Sequence, residues 1–250
     1  MSTPLKPLTW YKKLASRKER LEAGAFLVEG ERAIRQLAGT SPGEIIEIVA
    51  TGETPPVYSA YPSREVTKAQ FNSISQTITP QGILAVVRLP ANVYSPELPA
   101  DTGKRILLLE DIQDPGNVGT LIRTAAAFDY SGIIMTEDCA DPFSPKAVQS
   151  TAGTVMSLWI RRTDRYLDMA GALKKGGFTL VAADLDGTGN TGILQDSEKL
   201  LLALGNEAAG LSQPLLDIAD CRLRIPVISE KAESLNVAAC SAICMYLSSA

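Results

Sequence analysis

The chain has 250 residues, of which 45% are hydrophobic, with 24 Lys and Arg against 28 Asp and Glu and no histidine. That length holds one large domain or two ordinary ones, and a formal net charge of −4 gives composition no bias toward nucleic acid. The absence of histidine excludes a His-containing zinc site and a histidine base. The cysteines (Cys139, Cys221, Cys240, Cys244) lack the spacing of a four-thiolate site.

Cys240 and Cys244, four apart on a small apolar helix, read as core packing. No basic-then-apolar leader and no apolar run of membrane-spanning length is present. The expectation is a reduced, cytoplasmic protein with no metal and no membrane partner.

Positive charge is concentrated at the amino end. Residues 1–35 carry eight basic against four acidic residues. Residues 11–37 read as helix broken by a turn near Glu22-Ala23-Gly24, with Phe26-Leu27-Val28 extended and Gly30 to Leu37 helical. Ile45–Val49 and Gly82–Val87 are β-rich strands, with a helix over Gln70–Ser75 between them. Pro90, Pro96 and Pro99 then interrupt a stretch without periodicity, which reads as an extended linker over 89–103. It separates an amino-terminal domain, 1–88, from a second, 104–250.

The second half alternates. Strands are expected at Arg105–Glu110, Gly132–Met135, Phe178–Ala183, Lys199–Leu204 and Cys221–Ile225. Helices are expected near Gly116–Phe128, Ser144–Ser150, Tyr166–Lys175 and Ser234–Ser248. Apolar strands alternating with helices imply an α/β fold whose parallel sheet is covered on both faces.

Three segments place small or amide residues where an apolar strand stops. In Asp114-Pro115-Gly116-Asn117-Val118-Gly119, running to Arg123-Thr124-Ala125, Asp114 can cap a helix and Pro115 suits its first turn. Gly119 leaves an open surface beside Arg123, from which a guanidinium can reach a phosphate or ribose. A capped helix with a solvated arginine fits the same spacing. Gly205-Asn206-Glu207-x-x-Gly210 follows the run Leu200–Leu204, and its glycines let backbone approach a flat ligand. A plain glycine-rich turn is the alternative. Ile225-Pro226-Val227, running to Glu233-Ser234-Leu235-Asn236, ends in residues that either cap the next helix or hold a ligand. Asp184-x-Asp186-Gly187 suggests a calcium loop but lacks its remaining ligands, and neither a dinucleotide fingerprint nor a phosphate-binding lysine loop occurs.

Taken together and in this order, the three segments resemble the motif set of the SpoU (TrmH-like) RNA ribose 2′-O-methyltransferases of the SPOUT superfamily. The resemblance spans roughly 104–250. The amino-terminal half resembles the RNA substrate-binding domain of one branch, through Lys13-Leu14 to Lys18-x-Arg20, Phe26–Gly30 and Thr79–Val86. It implies a carboxy-terminal trefoil knot, a homodimer with its active site at the subunit boundary, and S-adenosylmethionine as methyl donor. It implies catalytic roles for Asn117, Arg123, Glu207 and Asn236. Cofactor contacts fall to Leu204, Gly205, Asn206, Ile225, Val227, Ser234 and Leu235. RNA contacts fall to Lys13, Arg17, Lys18, Arg20 and Arg32. The implied substrate is structured RNA, foremost large-subunit (23S) ribosomal RNA. Transfer RNA, or a non-catalytic role in ribosome assembly, are the alternatives. Because guanidinium groups stay protonated near neutral pH, Arg123 is read as holding a phosphate and stabilising a developing alkoxide.

Overall fold

The computed structural model describes residues 6–228, 230–231 and 234–249. The chain divides into two units, Met1–Ala91 with Asp141–Ser157, and Asn92–Ala140 with Leu158–Ala250.

The first unit opens with α1 (Leu8–Lys13) and α2 (Arg17–Ala23). A turn at residues 14–16, absent from the expected pattern, splits them. Gly24, at φ +59°, ends α2 in the left-handed conformation that glycine adopts without strain. β1 (Ala25–Glu29), α3 (Glu31–Thr40), β2 (Ile45–Thr51), β3 (Ser63–Val66), α4 (Lys68–Ile74) and β4 (Ile83–Arg88) follow. Their sheet runs β1-β4-β2-β3, with β3 parallel to β2 and the other pairs antiparallel. Tyr11, Leu14, Leu27, Val49, Phe71 and Leu84 pack together in its core. β3 is short and polar, Ser-Arg-Glu-Val, which hides it from periodicity.

The second unit begins with β5 (Arg105–Leu109), α5 (Pro115–Ala127) and β6 (Gly132–Met135). The chain then supplies α6 (Pro145–Thr151) to the first unit, where Phe143 stacks edge-on against Phe26 at 4.9 Å between ring centres. It resumes with β7 (Trp159–Arg162), α7 (Tyr166–Lys175), β8 (Thr179–Thr188), α8 (Gly192–Asp196), β9 (Leu200–Leu204), α9 (Gln213–Ile218), β10 (Cys221–Leu223) and α10 (Val237–Ser249). The six strands run β10-β8-β9-β5-β6-β7, every pair parallel. β5, β6 and β9 are almost wholly buried apolar runs, as strands covered on both faces must be.

Within 89–103 there is no helix or strand, yet the segment is not a free tether. Val93 accepts from the Arg162 amide at 2.7 Å, Glu97 from the Arg161 side chain at 2.8 Å, and Thr102 from the Trp159 indole at 3.3 Å. It covers the edge of β7, whose exposed backbone would otherwise invite another strand.

Candidate functional site

Ligands of parallel α/β sheets collect at the carboxyl ends of the strands. At that end of the second unit, β8, β9 and β10 present Ala183–Asp186, Leu204 and Leu223 to a cavity of about 310 Å³. The loop 205–210 and the segments holding Ile225, Val227, Ser234 and Leu235 complete its wall. Every residue expected at the cofactor, Leu204, Gly205, Asn206, Ile225, Val227, Ser234 and Leu235, borders this one space.

The loop's shape explains its composition. Asn206 and Gly210 form an isolated antiparallel bridge, so the chain doubles back on itself. A Cβ on Gly205 would come within 2.3 Å of the Gly210 carbonyl, which leaves glycine the residue that fits. Gly210 lies at φ +72°. The Asn206 carboxamide oxygen accepts from the Ala208 and Ala209 amides at 2.9 and 3.0 Å.

At the rim the three motifs meet. Asp114 caps α5 by accepting from the Asn117 amide at 2.9 Å, which fixes Asn117 on the first turn. Asn117 Nδ2 donates to Glu207 Oε1 at 2.6 Å, and Asn236 Nδ2 donates to Asn117 Oδ1 at 3.3 Å. Asn236 also caps α10, its Oδ1 accepting from the Ala238 amide at 2.9 Å. Capping and motif contact are thus two uses of one side chain, and α10 starts at Val237 rather than at Ser234. Glu233, within the third motif, lies outside the described residues.

Arg123 stands apart from this cluster. It is exposed on α5, has no hydrogen-bond or ion-pair partner among the described residues, and does not border the cavity.

The basic residues of the first unit divide. Lys13 and Lys18 are exposed, with loose ion pairs to Glu19 at 3.9 Å and Glu22 at 3.8 Å, and Arg17 and Arg32 are exposed as well. Arg20 corrects its expected role in RNA binding. It is 3% exposed, and its guanidinium donates to the Leu14 and Ala15 carbonyls at 2.9 and 2.7 Å and to Asp141 at 2.6 Å. Three of its donors are thus committed inside the first unit, and the side chain is buried away from a phosphate at the surface.

Two features of the cavity escape spacing rules. Asp184 and Asp186, dismissed as a failed calcium loop, are part of its wall, with Asp184 paired to Arg222. Their place just after the buried apolar part of β8, Leu180–Ala182, is the signal that could have found them. Cys240, expected in the core, borders the cavity, whereas Cys244 is buried. A hydrogen bond between the two thiols lowers the Cys240 pKa and raises that of Cys244, whose burial adds to the rise. Among the described residues no cluster suited to a metal ion occurs, and no helix is long and apolar enough to cross a membrane.

Comparison with known proteins identifies the family. Residues 104–246 match the SpoU rRNA Methylase family, and residues 9–85 match the MRM3-like substrate binding domain. The 23S rRNA (guanosine(2553)-2′-O)-methyltransferase RlmP of Bacillus subtilis is 33% identical over 241 residues, covering 94% of this chain and 93% of that one. The crystal structure of the SpoU methyltransferase AviRb from Streptomyces viridochromogenes, in complex with the cofactor AdoMet, superposes with a TM-score of 0.82 at 26% identity, covering 98% and 97% of the two chains. An AdoMet-bound rRNA methyltransferase from Sinorhizobium meliloti gives 0.82 at 27% identity, covering 99% and 96%. A family match over most of the parallel-sheet half, joined to likeness along the whole chain, makes this protein a member of the SpoU rRNA methylase family.

Proposed function

We propose that this protein is an S-adenosylmethionine-dependent methyltransferase that modifies a ribose 2′-hydroxyl in large-subunit (23S) ribosomal RNA. The observation that carries the reading is the single cavity on which all the expected cofactor residues converge, with Asn117, Glu207 and Asn236 bonded together at its rim. The lining suits the cofactor. Leu204, Ile225, Val227 and Leu235 offer apolar surface for a flat heterocycle, and Asp186 brings negative charge for a cationic ligand, the charge of Asp184 being met by Arg222.

When bound, S-adenosylmethionine supplies an electrophilic methyl group on a sulfonium. The chain's part is to hold the ribose hydroxyl in line with it and to exclude water. In this reading Arg123 binds the phosphate beside the target ribose and stabilises the developing alkoxide, and Asn117, Glu207 and Asn236 fix the rim against which the ribose is placed. Positioning of this kind is worth up to about 7–11 kcal/mol in ideal cases.

Arg123 stands outside the cavity of its own chain, which favours a homodimer with the site at the subunit boundary. Ile243 and Tyr246, exposed on α10, together with the Phe128 ring 6.3 Å from that of Tyr246, form an apolar face suited to a second copy. A trefoil knot in the carboxy-terminal half and a cytoplasmic location belong to the same reading. Lys13, Arg17, Lys18 and Arg32 track RNA phosphates from the substrate-binding domain.

The test is methyl transfer to 23S rRNA by purified protein, with the methylated ribose mapped, alongside Arg123→Ala. The variant binds S-adenosylmethionine as the wild type does and transfers no methyl group. Near-normal turnover by Arg123→Ala removes its catalytic role, and a wild type that neither binds the cofactor nor modifies RNA removes the enzyme.

A further inference from the structure

Glu110 follows directly on β5 and is 3% exposed. Among the described residues it has no cationic partner. Its carboxylate accepts from the Tyr166 hydroxyl at 2.5 Å, the Ser212 hydroxyl at 2.6 Å and the Ser212 amide at 2.7 Å. Burying an anion against neutral donors alone is costly, and a well-packed apolar residue would serve stability at least as well. The arrangement calls for a use other than stability.

The neighbouring residue points to that use. Asp111 sits at φ +58°, a conformation that aspartate tolerates better than most residues. Its amide donates to Thr136 Oγ1 at 2.9 Å, and the same hydroxyl donates back to Asp111 Oδ1 at 2.6 Å. With its backbone turned this way, Asp111 presents its carbonyl to Asn206 Nδ2 at 2.9 Å. The Glu110-Asp111 pair therefore grips the cavity loop at both ends, Asn206 through Asp111 and Ser212 through Glu110. Between these points lie Glu207, which meets Asn117, and the residues 206–210 that wall the cavity.

We infer that Glu110 and Asp111 are positioning residues for the methyl-donor site, holding the loop 205–212 in its ligand-ready form before the donor arrives. This rests on the function proposed above. A loop ordered in advance takes no ordering cost from binding, so loosening the grip appears in donor affinity and leaves turnover at saturation alone.

The experiment compares wild type with Ser212→Ala, Ser212→Thr and Glu110→Gln by calorimetry with S-adenosylmethionine, by kinetics with the donor and the RNA varied separately, and by amide hydrogen exchange. Ser212→Ala deletes one hydroxyl at a half-buried site, so it tests the grip even where Glu110→Gln does not fold. The expected result for Ser212→Ala and for folded Glu110→Gln is a roughly 5- to 50-fold rise in both Kd and KM for the donor. The kcat and the KM for RNA hold steady, exchange quickens over 205–212, and Ser212→Thr restores donor affinity. Unchanged donor affinity in Ser212→Ala, or a loss confined to kcat or thermal stability, overturns the inference alone. A wild type that binds no donor overturns the proposed function and this inference with it.

Discussion

Asn117 and Glu207, 90 positions apart in the chain, share a 2.6 Å hydrogen bond in which the amide donates to the carboxylate. The contact joins the first turn of α5 to the loop after β9, and Asn236 extends it to the start of α10. An exposed charge-assisted bond contributes modestly to stability. Its worth lies in holding three motifs in one geometry.

Asn117→Ala removes both side-chain links and leaves the Asp114 cap in place, since that cap uses the Asn117 backbone amide. Methyl transfer falls by about 10- to 100-fold, corresponding to roughly 1.5–3 kcal/mol for bonds to a charged partner. The melting temperature stays near that of wild type. Single-turnover kinetics beside a thermal melt read both, and unaltered chemistry in a folded variant removes Asn117 from the reaction.

Gly205→Ala forces a methyl group into the Gly210 carbonyl. The loop must open to relieve it, at a cost of about 1–3 kcal/mol. Cofactor affinity drops at least about fivefold. Calorimetry checks this, and wild-type affinity in the variant means that the loop does not shape the cofactor site.

Cys240 borders the cavity with a thiol pKa lowered by its hydrogen bond from Cys244. Alkylation by iodoacetamide therefore labels Cys240 ahead of Cys244, faster as pH rises and the thiolate forms. Saturating S-adenosylmethionine slows the labelling. Mass spectrometry identifies the site, and equal rates with and without cofactor place the bound ligand elsewhere.

Arg20 and Lys18 carry the same charge two residues apart and behave oppositely. Arg20→Ala strands Asp141 and leaves two carbonyls short of a donor, so urea unfolding shows a loss of about 3–5 kcal/mol. Lys18→Ala changes stability by less than about 0.5 kcal/mol and lowers the salt slope of RNA binding by about one unit. A stable Arg20→Ala protein contradicts the structural role assigned to that arginine.

Tyr130, 3% exposed, donates or accepts with Ser248 at 3.0 Å, and burial pushes its pKa up to about 12 from 10.0. Its contribution is complete below pH 10. Between pH 10 and about 12 the unfolded chain releases the phenolic proton and the folded chain keeps it, so stability falls by roughly 2–3 kcal/mol. Tyr130→Phe starts less stable at pH 8, for want of the Ser248 contact, and loses less over that window. Parallel curves for the two proteins would show that Tyr130 does not titrate as assigned.

Much of this was written locally. The short apolar runs 106–109, 132–135 and 200–204 fit covered strands, and Asp114-Pro115 suits the start of a helix. Glycines 205 and 210 announce a tight bend. Those properties depend on each residue and its near neighbours, and the three motifs were legible for the same reason. Strand order, the passage of 141–157 into the first unit, and the burial of Arg20 and Glu110 depend on pairings across long stretches of chain. An arginine bound for a carboxylate 121 positions away looks in sequence like one bound for a phosphate. Its surroundings, which decide the matter, exist only once the chain has folded.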